Sequence, residues 1–60
     1  MITTKHIGRL VWANDNLGRL ERVTKLPDGR EIAVVSFNND RVRSEQVFPA
    51  DKVIPYQGGE

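Results

Sequence analysis

Ile32-Ala33-Val34-Val35-Ser36-Phe37 carries the only unbroken apolar run in the chain, and Pro27-Asp28-Gly29 stands just ahead of it. A short apolar run after a turn signal, rich in β-branched residues, reads as a strand covered on both faces. The segments around it read as shorter, half-polar strands. Downstream, Asn38-Asn39-Asp40 tolerates the left-handed backbone of a tight turn. Arg41 to Pro49 then returns as a strand with Val42, Ser44, Gln46 and Phe48 on one face and Arg41, Arg43, Glu45 and Val47 on the other. Pro49 stops it. Ala50-Asp51-Lys52 leaves room for one helical turn, and Val53-Ile54 forms a final short strand before Pro55.

Upstream, Leu17 to Leu26 has two readings. Leu17, Leu20 and Val23 recur at every third residue, and Asn16 could cap a helix. That spacing drifts around a helix, and Gly18 in the first turn costs about 1 kcal/mol relative to Ala. As a strand, Leu20 and Val23 have opposite parity, so a bulge at Glu21-Arg22 is needed to put both inside. The bulged strand is the favoured reading. Ala13-Asn14-Asp15-Asn16 is a loop, and Ile7 to Trp12 is a strand with Leu10 and Trp12 on one side and Val11 on the other. Gly8 marks a bend. Residues 1–6 read as a flexible polar N-terminus, residues 7–56 as the folded domain, and residues 57–60 as a flexible tail.

Sixty residues make one small domain. A chain of this length buries only about 60% of the surface its unfolded form exposes. It has no cysteine and a single histidine, His6, so disulfide staples and a histidine-based metal site are excluded. Small domains without staples or metals commonly rely on partners, which makes self-association a candidate. The net charge of +1 is too balanced for strong nonspecific binding to phosphate backbones. No apolar run is long enough to span a membrane, and the start lacks a signal-peptide layout, so a cytoplasmic location is expected. His6 reads as solvated, because no Ser-His-acid or Cys-His set accompanies it. Trp12 reads as a core or interface residue. Arg41 and Arg43 share a strand face and could contact phosphate or an acidic partner; the competing reading is a solvated face balanced by Glu45 and Glu31.

Five short strands, a Pro-Asp-Gly turn and one helical turn before the last strand give an all-β chain. Over residues 7–55 this order resembles the SH3-like barrels, among them Tudor-like and KOW-like modules. The resemblance implies a small five-stranded barrel and names no job. The reading put forward is an interaction module for protein or nucleic acid, with Trp12, Arg41, Arg43 and Gln46 as contact residues taken from their strand faces, and no cofactor is expected.

Gln46-Val47-Phe48-Pro49 resembles a narrower pattern, the Gln-Ile-Tyr-Pro motif of type II, plasmid-type dihydrofolate reductases. Those are SH3-like barrels in which four copies surround one pore. That resemblance implies hydride transfer from NADPH to dihydrofolate, with Gln46 positioning the two rings, the Val47 main chain holding the nicotinamide amide and Phe48 at the Tyr position. Phe48 lacks the hydroxyl, and Trp12-Ala13 stands where that family has a ligand-attracting lysine. The Gly58-Gly59-Glu60 ending is similar to the tail of the prokaryotic ubiquitin-like modifier; a loose Gly-Gly tail is the plainer reading.

Overall fold

The computed structural model describes residues 2–39 and 41–56. Five strands form one antiparallel sheet: β1 (Leu10–Ala13), β2 (Asn16–Lys25), β3 (Glu31–Asn39), β4 (Val42–Pro49) and β5 (Val53–Pro55). The architecture is all-β, and one 3₁₀ turn, Ala50–Lys52, precedes the last strand. The strand order is β4-β3-β2-β1-β5. No ladder joins β4 to β5 among the described residues, so the sheet has two edges. They differ: β4 has eight residues, whereas β5 has three and ends in Pro55.

Residues 33–36 are buried, with Val34 and Ser36 covered on one face and Ala33 and Val35 on the other. The double cover expected of the apolar run therefore holds at its centre. The strands around it are not all shorter, although the sequence suggested so. The middle strand is β2, which at ten residues is also the longest. The cause is topological: β1 to β4 form a meander, and β5 adds beside β1, which moves the centre one strand back from β3.

The ambiguous segment is a strand. Its pairing with β3 shifts between Leu20 and Arg22, so Glu21 is the inserted residue. The shift lets Leu20 face Val35 and Val23 face Ala33, both on the inner side, despite their opposite parity. Leu20, Val11, Val35 and Val53 are the largest fully buried side chains, and Ala13, Ala33, Ala50 and Ile2 complete the buried cluster. Phe37 and Phe48 pack on it edge to face, with ring centroids 6.1 Å apart. At Gly18 the strand admits no side chain: a Cβ there would stand 2.6 Å from Val35 Cγ1 and 2.8 Å from the Ser36 carbonyl oxygen.

The turns follow from their residues. Asn14 and Asp15 take φ of 52° and 66° between the paired Ala13 and Asn16, a two-residue hairpin turn. At the next corner the Gly29 N–H donates to the Leu26 carbonyl and Leu26 N–H to that of Arg30, while Asp28 accepts from both the Arg30 backbone and its Nε. Before β1, Arg9 N–H donates to the His6 carbonyl across Ile7-Gly8. Gly8, at φ 88°, occupies the turn position that requires a positive φ. Its N–H then donates to the Leu20 carbonyl while the Leu20 N–H donates to that of Arg9, which makes a glycine bulge that aims the chain into β1.

The segment assigned to a flexible N-terminus holds a 3₁₀ turn over Thr4–His6 and a buried residue, Ile2. Thr3 Oγ1 accepts from Lys5 N–H, and His6 Nδ1 accepts from Thr3 N–H. His6 is half-buried and employed in this cap. The tail expectation for residues 57–60 lies outside the described residues.

Candidate binding face

Alternation along the strands sorts every side chain to the inner, core side of the sheet or to the outer side. Pairing of Leu10 with Arg19, Trp12 with Leu17 and Trp12 with Ile54 places these five on the outer side, away from Val11 and Leu20. Tyr56 N–H donates to the Leu10 carbonyl, which sets Tyr56 beside Leu10, and its ring meets that of Trp12 edge to face at 6.0 Å. Leu10, Trp12, Leu17, Ile54 and Tyr56 thus make one contiguous apolar surface, and each is 40–60% exposed. Removing about half of such a side chain from water is worth about 1 kcal/mol, so the surface matters only when several are covered together. Trp12 was singled out by the sequence. Its neighbours Leu17, Ile54 and Tyr56 were not, because they come from two segments other than that of Trp12 and only the register unites them.

The outer side changes character toward β4. Ser36 Oγ donates to Glu21 Oε2 at 2.7 Å, and Arg43 Nη2 lies 3.2 Å from Glu21 Oε1 and 3.2 Å from Glu45 Oε2. The inserted bulge residue is what brings Glu21 to this position. The Ser36 hydrogen bond, and after it the charges of Arg43, Arg19 and Arg22, hold the Glu21 carboxyl below its ordinary value against partial desolvation. Arg43 is thereby balanced by Glu21 and Glu45, where the sequence paired the arginines with Glu45 and Glu31. Arg41 is exposed in the β3–β4 turn at φ 70°. Arg9 and Arg19 make no ion pair among the described residues.

Gln46 and Phe48 stand opposite Val35 and Ala33, on the inner side of the edge strand β4. Gln46 is exposed there and Phe48 half-buried. Val47 lies opposite Val34 on the outer side. An open groove of about 580 Å³ between Leu26–Ile32 and Pro49–Lys52 mixes Arg30, Glu31, Asp51 and Lys52 and holds none of the sequence candidates. Among the described residues no three His, Cys, Asp or Glu side chains gather as a metal site, and no helix is long and apolar enough to cross a membrane. No protein-family model, curated protein or solved structure matches the chain.

Proposed function

We propose that the chain is a small SH3-like interaction module that binds a protein segment through the Trp12 surface. The observation that carries this reading is the contiguous run of five large, half-exposed apolar side chains on the outer side of β1, β2 and β5. Contiguous apolar patches mark partner sites far more often than scattered ones do. Aromatic residues with a polar end are the common anchors of such sites. Arg19 borders the patch opposite Leu10 and offers a charge to a carboxylate of the partner. A protein is favoured over nucleic acid because Arg43 is already balanced by two carboxylates and the exposed rings are only two, Trp12 and Tyr56.

Trp12 is the single tryptophan and reports directly on this surface. Peptides selected from a displayed random library against the protein should be rich in apolar residues. They should shift Trp12 emission to shorter wavelength and bind Ile54→Ser at least tenfold more weakly. Selected peptides that bind Ile54→Ser as tightly as the parent chain would reject the surface. An oligonucleotide that binds with a steep salt dependence, flattened in the Arg41→Ala, Arg43→Ala double variant, would move the reading to nucleic acid.

A second reading rests on Gln46, an exposed amide beside Phe48 on an edge strand. It makes the chain a type II-like dihydrofolate reductase that assembles four copies and uses NADPH. NADPH oxidation dependent on dihydrofolate, lost in Gln46→Ala, supports it; a monomer without turnover removes it.

A further inference from the structure

β4 is an eight-residue strand with a neighbour on one side only. Among the described residues, no strand other than β3 makes more than marginal contact with it. One row of its backbone N–H and C=O groups therefore lacks a partner within the sheet, the arrangement that invites pairing with another strand. Of its residues only Pro49, the last, is unable to donate. Val42 and Val47 are also among the most exposed large apolar residues, at 64% and 60%.

We propose that the occupant of this edge is β4 of a second copy, paired antiparallel about a two-fold axis at Ser44. The charges on the strand select both the partner and the register. In a two-fold antiparallel pair, opposed residues share a face, so the axis must pass through a residue position. An axis at Ser44 sets Arg43 opposite Glu45 of the partner subunit and Glu45 opposite Arg43 of the partner subunit. Shifting the axis to residue 43 stacks arginine on arginine, and shifting it to residue 45 stacks glutamate on glutamate. An axis at Gln46 leaves both charges opposite uncharged residues. Within one copy Arg43 already pairs with Glu45 and Glu21; only the Ser44 register adds an unlike charge opposite both Arg43 and Glu45, and directly opposed unlike charges stabilise a ladder where like charges weaken it. The overlap runs from Val42 to Gln46. It lies apart from the Trp12 surface, so it stands whether or not that surface binds a peptide.

Charge reversal gives a test with two halves. Arg43→Glu leaves two acids on the strand and Glu45→Arg leaves two bases, so each variant opposes like charges in its own dimer. Mixed together, they oppose unlike charges at both positions. Sedimentation of the parent chain across a concentration series should show a dimer. Each variant alone should dissociate at roughly tenfold or more higher concentration, and the equimolar mixture should recover a one-to-one heterodimer. A parent chain that stays monomeric, variants that dimerise like the parent, or a mixture that fails to pair would each overturn the proposal.

Ser44→Cys tests the register without touching a charge, and circular dichroism checks that every variant keeps its strand signal. The chain has no other cysteine, so any disulfide must join two copies. Directly opposed strand residues lie about 4.5–5.5 Å apart at Cα, within disulfide reach. Mild oxidation should link Ser44→Cys at least tenfold faster than Thr24→Cys, an exposed position on the middle strand. Equal rates would exclude pairing at Ser44.

Discussion

The inner and outer sides of the sheet are built from the same strands, yet they enclose their large apolar side chains to different degrees. The sealed inner cluster is made of Leu20, three valines, alanines and Ile2, with Val23, Phe37 and Phe48 packed against it. The outer side carries Trp12, Tyr56, Leu10, Leu17 and Ile54, each partly in water. A domain of this size selected for stability alone would turn its largest apolar groups inward, where their burial contributes most. The arrangement teaches that the inner side holds the fold while the outer side leaves large apolar groups half exposed.

The sharpest way to break that contrast is at the inner side. Leu20→Ala should lower unfolding free energy by about 2–5 kcal/mol, measured by urea denaturation, because it opens a cavity at the largest fully buried side chain. A loss below 1 kcal/mol would mean the inner side is not the stabilising one. Gly18→Ala adds a methyl group instead. Part of what it meets is the Ser36 backbone oxygen, which a rotamer change cannot move. The expected loss is about 1–3 kcal/mol, with a shift of the β2–β3 amide resonances as its signature. A smaller effect belongs to the charged part of the outer side. The folded-state values of Glu21 and Asp28 are lowered, so their contribution is complete above the ordinary carboxylate values of 4.5 and 3.8. It is lost as pH falls through the lower folded-state values. Thermal melting should therefore weaken on acidification below that range, and Glu21→Gln should flatten the dependence. The smallest effect should come from Ile54→Ser, about 0.5–1 kcal/mol, alongside the weakening of peptide binding expected of the same variant. A large stability loss there would erase the distinction between the two sides.

Much of this contrast could be read from the chain. The parity of Leu10, Val11 and Trp12 already separated the sides, and the opposite parity of Leu20 and Val23 already required the bulge that the structure has. The β4 faces were equally legible from alternation over residues 42–48, whereas Arg41, expected on the strand, falls in the turn before it. Three things were not. Ile2 stands among polar residues, and nothing local signals that it closes the inner cluster. The middle position of β2 depends on where β5 docks, a long-range choice. The Glu21–Ser36–Arg43 cluster and the Trp12 surface both join residues far apart in sequence, so they exist only once the register is known.

The unequal edges also set how far growth can go. β5 is three residues long and finishes on a proline that has no N–H to offer. Whatever joins the sheet at the β4 end, the far end cannot serve as the next template. A short edge that ends in proline disfavours addition beyond a single step, which is how an open sheet limits fibre formation without being a closed ring.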